Sequence, residues 1–257
     1  MIRVTSLFRR PVEPKTITVE VGDASFAVRV SRNRRARRYT LRIHAASREA
    51  VLTMPLRGNL ADASRFAHAH GGWLAQRLRQ LPTVAPFSEG ELVPLRGIDH
   101  RIVHRPRTRG TVWAAQDGDE PLLCVAGSRE HVARRVRDFL KREARRDLEA
   151  AVSAYAQALE VRVRRISIRD QSSRWGSCNS AGVLSFSWRL ILCPPFVLDY
   201  LAAHEVAHLV EMNHSARFWK LLRQMCPATD EATRWLDSHG NALHRYGAAK
   251  ESDQSPI

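Results

Sequence analysis

Residues 204–214 read HEVAHLVEMNH, three of the chain's eleven histidines with a glutamate directly after the first. On an α-helix, residues four apart lie one turn above the other on the same face. His204 and His208 therefore present two imidazoles to a common point. A zinc ion takes neutral nitrogen donors at about 2.0–2.1 Å, and this spacing supplies two of them. Glu205 sits about 100° further round the helix. It need not ligate. It is placed to take a proton from a metal-bound water, whose pKa the metal lowers toward about 7, and so to act as general base and later as proton donor. That is the physical content of the HExxH pattern.

A catalytic zinc site usually has a third protein ligand and leaves the fourth place open. His214 is the first candidate, but a continuous helix would turn it about 600° past His208, off the shared face. The helix is therefore expected to end at Met212-Asn213, with Asn213 in the left-handed conformation that asparagine tolerates. His214 then folds back, and Ser215 caps a new helix, SARFWKLLRQM. His239 and His244 are the rival third ligands. The spacing HExxHxxxxxH also occurs in metzincins, but Glu211 stands where those proteins have glycine, and no methionine-turn segment is evident.

The elements that must position this site are legible from periodicity. Ile17, Val19 and Val21 alternate with polar residues, as do Phe26, Val28 and Val30, and then Tyr39, Leu41 and Ile43, so the chain begins with short strands. Between the last two lies SRNRRARR, with five arginines in residues 32–38, at what reads as a hairpin tip or a phosphate-binding turn. VLTMP (51–55) is a further strand, and residues 61–81 read as a helix despite Gly71-Gly72. Strands are expected around 92–95, 101–104 and 122–125. Near Gly127 the composition changes. Ser128 is placed to cap a helix running to about Leu159, with Val132, Val136, Phe139 and Leu140 on one face. Strands follow at 161–170 and 183–192, and Pro194-Pro195 opens the helix that carries the histidines. This gives a β-rich region 1–127, a catalytic domain 128–247 and a disordered tail 248–257.

At 257 residues, 44 % hydrophobic and 26 % charged, the composition is that of a globular protein with a real core. The longest apolar stretch, FVLDYLAAHEVAHLV, is interrupted by charge, so no membrane span is expected. MIRVTSLFRRPVEPK has no apolar core or cleavage site, which points to a cytoplasmic protein. Cys124, Cys178, Cys193 and Cys226 form no CxxC pair and are expected to be free thiols. The net charge of +15 comes mostly from arginines read as spread along the whole chain, and it favours contact with nucleic acid, nucleotides or an acidic protein surface.

Taken together, SSRWGSC (172–178), GVLSFSWRLIL (182–192) and PPFVLDYLAAHEVAHLVEMNHSARFW (194–219) resemble the YgjP-like zinc metallopeptidases, relatives of the SprT-like and WLM metalloproteases. The resemblance implies an α+β fold: a zincin-like domain of long helix, small antiparallel sheet and HExxH helix, preceded by a β-rich region. It implies Zn2+ on His204, His208 and His214, with Glu205 as catalytic base and a peptide or protein as substrate. It also implies that RWGSC precedes an edge strand to which an extended peptide adds. Arg174, Trp175, Gly176 and Ser177 are then substrate-contacting candidates, Arg174 as an oxyanion partner. Two other functions remain compatible with the residues. One is a metal-dependent nucleotide phosphohydrolase resembling a nucleoside triphosphate pyrophosphatase, which the arginines suit, although no glycine-rich phosphate loop is present. The other is a protease brought to nucleic acid by its basic surface.

Overall fold

The computed structural model describes residues 15–44, 48–80, 84–171 and 174–247. The chain divides into two compact units, residues 1–81 and 82–257. Among the described residues there are six α-helices and three small sheets.

In the first unit, β1 (Thr16–Val21), β2 (Ala24–Asn33), β3 (Thr40–His44) and β4 (Glu49–Pro55) form a sheet of order β1-β2-β4-β3. Strand β2 is antiparallel to β1 and parallel to β4, and β3 is antiparallel to β4. The alternation read from the sequence turns Ile17, Val19, Val28, Ala50, Leu52 and Met54 to one face. There they are buried with Ala63, Ala67 and Leu74 of the helices α1 (Leu60–Ala69) and α2 (Gly71–Arg79). The single helix expected over 61–81 is thus two, broken at His70 (φ −103°, ψ 12°). Gly71 explains the break. A Cβ there would lie 2.7 Å from Val21 Cγ2 and 3.1 Å from Val19 Cγ1, so only glycine lets the start of α2 sit this close to β1.

In the second unit, β5 (Leu92–Leu95), β6 (Ile98–Arg105), β7 (Val112–Asp117) and β8 (Glu120–Ala126) form a sheet of order β5-β6-β8-β7. The 27-residue helix α3 (Val132–Ala158) follows. Ser128 does not cap it: a 3-10 turn, Arg129–His131, intervenes, and no side chain caps either element. Then come β9 (Arg165–Arg169), β10 (Gly176–Cys178) and β11 (Val183–Ser187) in the order β10-β11-β9, with β10 at an edge. Both expected strands are shorter than read. Residues 161–164 stay outside β9, and the apolar run after Ser187 winds into a 3-10 helix, Trp188–Leu192, that buries all five of its residues. The helices α4 (Pro195–Ala207), α5 (Ala216–Met225) and α6 (Thr229–Leu243) complete the unit.

One core joins these elements. Val136, Leu140, Ala144, Leu148 and Val152 make a continuous stripe along α3 and pack with Val93, Leu95, Ile102, Leu123 and Val125 from the strands and Leu184, Phe186 and Trp188 beyond. The compact units therefore divide well before the boundary read near Gly127, because the strands ahead of α3 bury their apolar side chains with α3. The charge is uneven too. Residues 1–81 hold sixteen Lys and Arg against five Asp and Glu, and residues 82–257 hold twenty-five against twenty-one. The arginines are spread along the chain, but the net charge is not. Cys124, Cys193 and Cys226 are buried free thiols and Cys178 a half-buried one. Among the described residues no helix is long and apolar enough to cross a membrane. The expected tail, 248–257, lies outside the described residues.

Candidate metal centre

Pro195 opens α4, where its missing N–H and fixed φ fit the first helical turn. The helix is apolar all round and buries Val197, Leu201, Ala202, Ala203 and Val206 in the core, so its polar residues are held rigidly. His204 and His208 lie one turn apart, ring centroids 4.9 Å from each other. The helix ends sooner than expected, with His208 itself as the C-cap. Leu209 and Val210 donate to the carbonyls of Val206 and Ala207 in a tightened last turn, and Glu211 N–H donates to Ala207 as well. Asn213 is not among the residues with positive φ, so the expected left-handed step there does not occur. The reversal is made instead by the early end of α4 and a Ser215 N–H bond to the Asn213 carbonyl. Ser215 then caps α5, its hydroxyl accepting from Phe218 N–H at 3.3 Å.

This turn carries His214 back to the other two. The ligand nitrogens of His204, His208 and His214 lie within 4.8 Å of one another, and His204 Nε2 and His214 Nε2 are 3.1 Å apart. A tetrahedral ion with bonds of about 2.0–2.1 Å places its donors roughly 3.4 Å apart, so the donor set fits a divalent cation. His239 and His244 are elsewhere. His239 stacks on Trp235, and His244 stacks on Trp175 with centroids 5.2 Å apart.

The imidazoles are held by their surroundings. The Glu211 carbonyl lies 3.1 Å from His208 Nδ1 and can only accept, so Nδ1 carries the proton and Nε2 is free to ligate. Tyr200, four residues before His204, brings its hydroxyl 3.4 Å from His204 Nδ1. Phe218 stacks on His208 and Trp219 on His214. Burial, with His208 and His214 close by, pushes His204 down to about 4, and burial also lowers His208. Both rings are thereby kept in the neutral form a metal requires.

Glu205 is 4 % exposed, and its Oε2 has no hydrogen-bond partner. Burial pushes its carboxyl up to about 8, against the opposing pull of the exposed Arg174. An unpaired buried carboxylate costs several kcal/mol, so this group is placed against the gradient of stability. Its room is made by Gly176, at the start of β10: a Cβ there would lie 2.3 Å from Glu205 Oε1. Trp175, Gly176 and Ser177 are half-buried beside it. Tyr200, Leu201, Thr233 and Asp237 join Trp175, Gly176, His204 and Glu205 around a cleft of about 290 Å3. The sequence reading brought Arg174–Ser177 to this site but missed Tyr200, Thr233 and Asp237. Tyr200 was findable from its four-residue spacing to His204. The other two come from α6, and no local pattern marks them.

Comparison with solved structures finds the crystal structure of the metallopeptidase zymogen of Pyrococcus abyssi abylysin, at 20 % identity and a TM-score of 0.33. The match covers 38 % of this chain and 97 % of that one. No curated protein matches the chain. A family model, described as the YgjP-like metallopeptidase domain, matches residues 37–239 and so spans the entire histidine cluster. The three converging imidazoles and the buried carboxylate beside them thus sit in a chain that belongs to the YgjP-like metallopeptidase family.

Proposed function

We propose that the protein is a zinc-dependent peptidase with a zincin-like catalytic domain, in which His204, His208 and His214 hold the ion and Glu205 is the general base. When bound, zinc supplies Lewis acidity, worth several kcal/mol to the charge that develops on the carbonyl oxygen. Glu205 takes a proton from the attacking water and delivers it to the leaving amine. Its burial raises its proton affinity, which suits a group that must hold a proton and then release it. Glu211, through its carbonyl, and Phe218, through its ring, fix the His208 imidazole. The edge position of β10 leaves one side of that strand for an extended peptide, bound by main-chain hydrogen bonds. Gly176 there brings the peptide close to Glu205, Trp175 and Ser177 flank it, and Arg174 supplies a donor to the developing oxyanion.

The observation that carries this reading is the convergence of three imidazoles beside a buried carboxyl group whose Oε2 has no hydrogen-bond partner. A closed structural zinc site has no use for such a carboxylate. The test is zinc content and hydrolysis of a mixed peptide panel for the native protein and Glu205→Gln, with nucleoside triphosphates run in parallel. Unchanged zinc with peptide cleavage abolished in the variant supports the proposal. Full activity in the variant, or triphosphate hydrolysis with peptides untouched, overturns it.

A further inference from the structure

The arginine run at residues 32–38 plays no part in the metal centre and lies in the first unit, 1–81. That unit is less than a third of the chain, yet its excess of sixteen basic over five acidic residues accounts for +11 of the total +15. Its helices α1 and α2 pack on one face of the sheet. The register defines what the other face carries. Thr16, Arg29, Val51 and Arg42 form one row across β1, β2, β4 and β3, and Ser31, Thr53 and Thr40 form the next. The loop from Asn33 to Thr40 joins β2 to β3 at the end of that second row and holds Arg34, Arg35, Arg37 and Arg38. Thr16, Arg29, Arg42 and the four loop arginines are exposed, and Ser31, Thr40 and Thr53 are half-buried.

Arg29 pairs with Glu49. Arg34, Arg35, Arg37, Arg38 and Arg42 form no ion pair among the described residues. Val51, between Arg29 and Arg42 in the first row, is buried. Unpaired guanidinium groups close in sequence repel each other, and an arriving polyanion relieves that repulsion. Fifteen of the unit's sixteen basic residues are arginine, whose planar fork matches a phosphate bidentately. Hydroxyls in rows add neutral donors, with strands about 4.8 Å apart and same-face residues roughly 6.6 Å apart along a strand. Neither row carries an aromatic ring on which bases could stack, as single-strand readers require. Large apolar side chains of the kind that enter a lipid surface are absent from both rows as well. We infer that this open sheet face and the 34–38 loop bind the sugar–phosphate backbone of a nucleic acid duplex, without reading its sequence.

The test is fluorescence anisotropy of a labelled 20-base-pair duplex with the full-length protein over a salt series, with peptide hydrolysis measured on the same preparations. Replacing Arg34, Arg35, Arg37, Arg38 and Arg42 together by Ser is expected to weaken binding at least ~10-fold. The log–log salt slope falls by about 1 for each phosphate that the variant no longer neutralises. A matched variant carrying Ser at Arg105, Arg107, Arg109, Arg162 and Arg164, exposed arginines of the second unit, removes the same charge and is expected to bind within about twofold of native. Peptide hydrolysis stays unchanged in both, so failure here is separable from failure of the catalytic proposal. Equal weakening by the two variants, unchanged binding by the first, or salt-independent binding overturns the inference. So does affinity for phosphatidylserine vesicles that exceeds affinity for the duplex. Should the fivefold variant unfold, the single variants Arg37→Ser and Arg42→Ser carry the test, each expected about twofold weaker.

Discussion

Arg189, in the second unit, has a side chain only 2 % exposed; it lies over the Trp188 ring, pairs with Asp170 and donates to the Tyr246 carbonyl. Arg96, in the same unit, holds Asp147 at 2.7 and 2.9 Å and Glu143 at 2.8 Å. In the first unit, Arg34, Arg35, Arg37, Arg38 and Arg42 are exposed with no carboxylate partner among the described residues. The side chain is the same and its use is opposite. In 82–257 the arginines are balanced by acids and several tie secondary elements together. In 1–81 they are left in excess, and the excess becomes a property of the surface. A total of +15 describes neither region, since the part with the candidate metal centre is close to neutral and the part without it is strongly basic.

The comparison can be sharpened by perturbing each region in turn. The largest effect belongs to the nearly neutral unit. Glu205→Gln should lower kcat about 10²–10⁴-fold, the usual contribution of a general base, while zinc content measured by atomic emission stays unchanged. His204→Ala should instead lose the metal and the activity together. Duplex binding by the first unit should be unaffected by either substitution.

Next is the buried group that burial itself has discharged. His244 is pushed down to about 4 by desolvation, with Arg189 adding to the shift and Asp170 opposing it. Its folded pKa is below the unfolded value of about 6.5, so the unfolded chain binds more protons. The stability it contributes is present above pH 6.5 and is lost as pH falls toward 4, by about 3 kcal/mol. Urea unfolding at pH 7 and pH 4.5 should show this loss in the native protein and a smaller one in His244→Phe. An equal loss in both would place the acid sensitivity elsewhere.

Asp170→Asn should cost about 2 kcal/mol by leaving the Arg189 charge buried and uncompensated. This is less than for a fully buried pair, because Asp170 is half exposed. The corresponding removal in the first unit, Arg42→Ser, should change stability by no more than about 0.5 kcal/mol. Similar unfolding free energies for the two variants would erase the distinction drawn between the regions.

Gly176→Ala is a smaller perturbation aimed at one close approach. The new methyl would meet Glu205 Oε1, so the carboxylate or β10 must shift. A loss of about 10–100-fold in kcat is expected, with zinc content retained, since misplacing a catalytic group by about 1 Å has that size of effect. Full activity would mean that Glu205 does not work from this position.

The sequence was most informative where chemistry depends on local spacing. His204 and His208 are one turn apart because α4 exists, and α4 was announced by Pro194-Pro195 and an apolar run. His214 was the first candidate for a third ligand, with His239 and His244 as rivals, and it had to fold back to reach the other two. The route differed, because α4 stops at Ala207 and Asn213 is not left-handed. The strand 17–21 was placed to within one residue by alternation, and the short apolar segment 51–55 to within two. Where apolar runs were continuous, as at 183–192, strand and 3-10 helix could not be told apart, since a fully buried segment shows no period.

By itself, then, the sequence determined the pair of imidazoles, the carboxylate beside them, the first-unit strand pattern and the arginine run between β2 and β3. These follow from the fixed rise and turn of a helix or strand. Tertiary structure alone decided that Gly176 leaves room for Glu205, that His244 and Trp175 stack, that Arg189 is buried and that the chain divides at 81 rather than 127. Those outcomes depend on which distant surfaces bury each other's apolar area, a choice made by packing across the whole core that no short window of residues contains.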